Sequence, residues 1–259
     1  MLLFKYMKIN IMSNLEYPLA TYSTLLARMV GIILELIGLF FLFDRFQSLV
    51  GYSLYEVGLC YLIIRLANAL SICFGKGYNS MSGLIRKGAF DTMLIRPRNM
   101  VLQSFSHALD IRDLGVSVQY ILMLVLFISI YSVNFTAMKG IVLLLTVISG
   151  TAIFLGILMI SAGICFFSVK NIEAVSVFTD GGVKLGSYPL TIYNKWITRF
   201  FTFIVPFGCA NYLPVLYIAD KVDSYRWLYM LSPILGMLFI IPCIFIWYAC
   251  AKHYSSTGS

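Results

Sequence analysis

The sequence predicts an all-α membrane protein with six transmembrane helices, and three observations carry that reading. Six long apolar stretches fill most of the 259-residue chain. Hydrophobic residues make up 60% of it and charged residues only 12%, with a mean hydropathy of +0.89. No water-soluble core could hide that much apolar surface. Lysine and arginine concentrate in every second gap between the stretches, as happens when basic loops stay on one side of a bilayer.

A span takes about 20 mainly apolar residues. The stretches place spans at residues 22–43, 52–74, 114–133, 140–168, 197–219 and 227–251. The last four hold long charge-free runs, such as Gly140 to Val169 and Trp227 to Ala251. Arg28, Glu35, Glu56 and Arg65 interrupt the first two. Even so, the runs Gly31 to Phe43 and Val57 to Ile64 suit only lipid or protein interior.

Basic residues set the orientation. With the amino terminus inside, thirteen fall on inner segments: Lys5, Lys8, Lys76, Arg86, Lys87, Arg96, Arg98, Arg112, Lys170, Lys184, Lys195, Arg199 and Lys252. Only Arg45, Lys139, Lys221 and Arg226 fall outside. Both termini are therefore expected in the cytoplasm, with the chain multi-pass in the plasma membrane. The net charge of +8 then reflects topology and contact with anionic lipids, and no nucleic-acid partner is expected.

Residues 1–21 form a separate amino-terminal segment. Leu2, Leu3, Phe4, Tyr6, Met7, Ile9 and Met12, mixed with Lys5 and Lys8, suit an interfacial helix that Pro18 ends. No cleavable signal peptide is expected, because a compact apolar core is missing. Residues 22–259 form one membrane domain.

Two interruptions stand out in that domain. Gly75 to Asp113 is too long for a simple connection. Leu84, Ile85, Phe90, Met93, Leu94 and Ile95 alternate there with Arg86, Lys87, Asp91 and Arg96, as in short amphipathic helices lying on the inner face. Pro97 stops the first helical piece. The second interruption runs from Lys184 to Pro214, where the fifth apolar stretch carries Pro206, Gly208, Asn211 and Pro214. Prolines so closely placed predict a broken or re-entrant segment near span 5, with a kinked helix as the alternative.

Catalytic residues are not expected. Gly181, Gly182 and Gly186 surround Lys184 without the spacing of a phosphate-binding loop, so this chain does not hydrolyse ATP itself. There is no HExxH helix and no GxSxG elbow. The cysteines Cys60, Cys73, Cys165, Cys209, Cys243 and Cys250 show no metal or redox spacing, and His107 and His253 belong to no ligand set. No cofactor or metal is expected in this chain.

Three motifs in order, Gly88, Phe90, Asp91, Leu94, Arg96 and Pro97, then Tyr188 and Pro189, then Pro206, Phe207, Asn211, Tyr212 and Pro214, resemble those of a type 2 ATP-binding-cassette permease. The daunorubicin-exporter-like branch is the most similar, with GxFDxxLxRP after the second span and PFxxxNYxP around the fifth. The resemblance covers essentially the whole chain. It implies a permease subunit that forms a homodimer, or a heterodimer with a sister permease, and joins separate ATPase subunits that bind ATP and Mg. It also implies that the helix around Gly83 to Leu94 is the cytoplasmic coupling helix between spans 2 and 3, with Arg96 and Pro97 fixing its exit. One departure is Ile218, Ala219 and Asp220, where relatives often continue Leu, Leu, Gly.

Glu35 and Arg65 are the remaining functional candidates, because a charge at mid-bilayer costs roughly 2.5–3.5 kcal/mol on insertion scales and normally turns inward. The two can pair across the first two spans, face a substrate path, or leave Arg65 to snorkel alone. The expected function is the permease of an exporter for hydrophobic or amphipathic substrates. The rival reading is an ion-coupled secondary transporter, which would normally show inverted repeats.

Overall fold

The computed structural model describes residues 18–95, 100–101, 103, 111–131, 135–168, 173–222 and 224–254. Most of the amino-terminal interfacial segment expected over residues 1–21 therefore lies outside the described residues, as do Arg96 and Pro97. All named elements among the described residues are helical.

Helix α1 spans Pro18–Phe46 and α2 spans Leu54–Asn79. Two short helices follow, α3 at Met81–Arg86 and α4 at Ala89–Ile95. Then come α5 at Ile111–Tyr131, α6 at Ala137–Ser168 and α7 at Glu173–Gly186. A 3₁₀ turn at Leu190–Ile192 leads to α8 at Lys195–Phe203, a π-helical turn at Gly208–Tyr212 and α9 at Leu213–Ile218. The chain closes with α10 at Arg226–Leu238 and α11 at Ile240–Ala251.

Five of these units are long and apolar enough to cross a membrane: α1, α2 continued to Arg86, α5, α6, and α10 with α11. A sixth is reached if α8 and the Gly208–Ile218 helix count as one span, although they are bent by 80°. Helices α2 and α6 form the buried centre, whereas α1, α5 and α10–α11 leave most of their surface open. The apolar faces of the outer helices include Leu26, Phe41, Leu122 and Phe245, each more than half exposed. Such faces suit lipid and would be unstable in water.

The seam between α6 and α10–α11 has a seven-residue register. Gly236 packs on Ser149, Gly156 on Cys243, and Gly163 on Cys250. A Cβ on Gly236 would lie 2.2 Å from Ser149 Oγ, and one on Gly156 would lie 2.8 Å from Cys243 Sγ. Small residues here let the backbones approach, which is how membrane helices pack when burial of apolar surface offers no gain. Local chemistry handles the prolines: Pro233 cannot donate to the Tyr229 carbonyl four residues back, and Ser232 Oγ donates to that carbonyl at 2.8 Å.

The chain ahead of the expected fifth span runs farther along the bundle than expected. A span at 197–219 leaves Lys184 and Lys195 on inner segments, yet Gly186 packs on Ile64, well along α2. Thr191 Oγ1 hydrogen-bonds at 2.8 Å to the hydroxyl of Tyr52, which precedes α2. The chain leaving Ser168 at one end of the bundle thus reaches the Tyr52 end through α7. Its return from α8 to α9 ends at that same end, where Lys221 Nζ meets Glu56 Oε2 at 2.8 Å. Asp180 and Lys184 dilute the hydropathy of α7, and its 14 residues span only about 21 Å.

Candidate functional site

Helices α3 and α4 meet at Lys87 and Gly88. Gly88 adopts φ +64°, a left-handed conformation that favours glycine, and its N–H donates to the Ile85 carbonyl at 3.0 Å. The turn folds α4 back onto the bundle. Phe90 is fully buried, with its ring 5.0 Å from both Phe166 of α6 and Tyr254 beyond α11. Tyr254 OH donates to Asp91 Oδ1 at 2.9 Å. The motif residues Phe90 and Asp91 therefore bind the short helices to the ends of two spans.

Phe90 and Leu94 are four residues apart, a spacing that sets two residues on one side of a helix. The structure separates them: Phe90 is internal, while Leu94 is 39% and Ile95 83% exposed. The open surface of this unit consists of Arg86, Lys87, Thr92, Leu94 and Ile95.

The second group surrounds the bend between α8 and α9. Pro206 and Phe207 are buried, and the Phe207 ring lies 4.9 Å from Phe154 and 6.0 Å from Phe201. Just beyond, the wide turn of Gly208–Tyr212 precedes Pro214, which has no N–H for the carbonyl four residues back. Asn211, 2% exposed, donates through Nδ2 to the Gly186 carbonyl at 2.6 Å and the Cys60 carbonyl at 3.2 Å. One amide thus joins the bend to α2 and to the end of α7. Tyr212 and Tyr52 share a 2.8 Å hydroxyl hydrogen bond. Tyr52 and Thr191 escaped the sequence reading because their partners are 139 or more residues away.

Glu35 and Arg65 are in contact. Arg65 Nη2 lies 3.0 Å from Glu35 Oε2, Tyr61 OH also donates to that carboxylate, and the guanidinium lies 5.3 Å from the Tyr61 ring centre. The pair is not sealed, since the Arg65 and Glu35 side chains keep 28% and 45% of their exposure.

Asp220, at the point where the chain departs from its expected pattern, pairs with both buried Lys139 and Arg226. It adopts φ +55° and ties the start of α6 to the start of α10. Among the described residues no group of three or more His, Cys, Asp or Glu side chains could hold a metal ion.

A family model described as ABC-2 family transporter protein matches residues 29–258. The chain belongs to the ABC-2 transporter family. No curated protein and no solved structure matches it. As an ABC-2 permease it is a multi-pass transmembrane transport component rather than an ATPase, and permeases of this family normally work with ATP-binding-cassette ATPase partners. Within this ABC-2 chain the matched region contains all four groups just described.

Proposed function

We propose that this chain is the permease subunit of an ATP-driven exporter in a prokaryotic plasma membrane, of the daunorubicin-exporter-like branch. Two such permeases, identical or paired with a sister, would join two ATPase subunits that bind ATP and Mg. The observation that carries the reading is the two-sided build of α3–α4. Its inner face is fixed by Phe90 between Phe166 and Tyr254, and its outer face presents Leu94 and Ile95. A partner pressing on the outer face would move the ends of α6 and α11 as one body. A short helix in a partner's groove is a common recognition mode.

On this reading α3–α4 lies in the cytoplasm with both termini, and α7 is a short fifth crossing. The α8–α9 segment then forms a re-entrant hairpin entered and left from the outer side. Protein covers its broken backbone, as membrane depth requires. Arg65 lines a cavity between α1, α2 and α5 and Glu35 pairs with it, which suits a path for hydrophobic or amphipathic cargo.

The test is purification of the full chain from its native membrane, as wild type and with Leu94→Asp and Ile95→Asp together. Wild type should bring an ATP-binding-cassette ATPase. The double variant should lose both ATPase and export while keeping its thermal midpoint, and retention of both would remove α3–α4 from coupling.

A further inference from the structure

Helices α7 and α8 each turn one face into the protein and leave the other uncovered. On α7, Val183 is buried and Gly182 and Gly186 pack on Phe207 and Ile64, while Val177, Asp180 and Lys184 lie open. Those three are spaced i, i+3 and i+7, one stripe of a helix. On α8, Phe200 and Phe201 join the buried cluster around Ile64 and Ala67, while Trp196, Arg199 and Phe203 lie open with the same spacing. Trp196 is 76% and Phe203 81% exposed.

Depth relates the two stripes. The Phe178 and Phe200 rings are 6.4 Å apart, so Asp180 on α7 and Arg199 on α8, each within two residues of a ring, sit at nearly one depth. Ile64 and Ala67, which pack with Phe200, lie in the middle of α2, and that sets the depth inside the bilayer. Among the described residues neither charged side chain has a hydrogen-bonding or ionic partner, and no bridge joins Asp180 to Lys184 one turn on.

An unpaired charge at that depth is costly and normally faces protein or water. Lipid tails would cover Val177, Trp196 and Phe203 but offer nothing to Asp180. A surface with unmatched charges of both signs is complementary to a copy of itself, because a twofold axis can set each charge against the opposite one. An axis along the membrane normal also keeps depth, so Asp180 of one copy comes level with Arg199 of the other.

We propose that the open face of α7 and α8 is the contact with a second copy of this chain, closed by two reciprocal Asp180–Arg199 ion pairs with Trp196 and Phe203 around them. This names the partner in the paired permease proposed above and rests on α7 being a crossing.

The test co-expresses two differently tagged forms of the full-length chain in a host without its ATPase, captures one tag from mild detergent and measures the other. ATPase capture by α3–α4 is a separate readout, so its failure would leave this result standing. Wild-type copies should pair. Asp180→Arg with itself, and Arg199→Asp with itself, should each lower the captured partner at least about tenfold, since like charges opposed across an interface repel strongly. Asp180→Arg co-expressed with Arg199→Asp should restore most of the pairing, because each contact between copies again joins opposite signs. A pair within one chain could not give that rescue, as each variant chain would carry two like charges. If the reversed chains are unstable, Asp180→Asn and Arg199→Gln should each lower pairing, and Asp180→Glu should retain it. Pairing that is absent in wild type, unchanged in the variants or unrescued in the mixture would overturn the proposal.

Discussion

Phe90 and Leu94 stand one turn apart in α4 and have opposite surroundings. Helical spacing sets residues four apart on one side, but a seven-residue helix docked at an angle can bury one and leave the next at the rim. That angle depends on Phe166 and Tyr254, far along the chain. The same scale governs Glu35 and Arg65. A sealed pair would cost several kcal/mol when one partner is removed, and here both side chains remain partly open. Glu35→Gln and Arg65→Gln should each destabilise the chain modestly, and the double variant should cost less than their sum. A coupling of about 0.5–3 kcal/mol is expected for groups in contact. Thermal unfolding of both singles and the double in one detergent measures it, and strict additivity would remove the contact.

Among the elements, the long apolar runs were readable from composition because a bilayer demands them, and α1, α2, α5, α6 and α10–α11 fall within a few residues of the expected spans. Prolines 206 and 214 announced the bend before α9 for an equally local reason: each lacks an N–H. Helix α7 was not readable. It is short, it carries Asp180 and Lys184, and its place depends on Ile64, Asn211 and Tyr52 from other parts of the chain. The α6–α11 seam was hidden too, since glycine and cysteine at seven-residue intervals become informative only once the helices are paired. A substitution on that seam should behave as overpacking. Gly156→Leu should destabilise by about 1–3 kcal/mol, although leucine favours helix more than glycine does. Adding Cys243→Ala should recover part of the loss, and a stability unchanged by Gly156→Leu would show that the helices do not approach closely there.

At the scale of the whole molecule, orientation and the fifth crossing can be read together by impermeant thiol labelling. The native cysteines are buried or half-buried, so the background should be low. Gln47→Cys and Ser224→Cys sit on exposed positions at the Tyr52 end and should react from outside intact cells, whereas Lys87→Cys should not. Lys139, in the first turn of α6 and buried against Asp220, is a poor reporter. Lys195→Cys decides between the two paths for the fifth crossing. Reaction from outside supports α7 as the crossing, and protection would restore a span at 197–219. Reaction of Lys87→Cys would invert the whole arrangement.

The proposed coupling to ATP hydrolysis requires α3–α4 to be the place where an ATPase takes hold. A photo-crosslinking residue at Ile95, 83% exposed, compared with one at Tyr225 at the opposite end, 70% exposed, tests that in native membranes. Illumination should join Ile95, and not Tyr225, to an ATP-binding-cassette ATPase identified by mass spectrometry. An ATPase adduct at Tyr225, or none at Ile95 in membranes that carry out export, would contradict it.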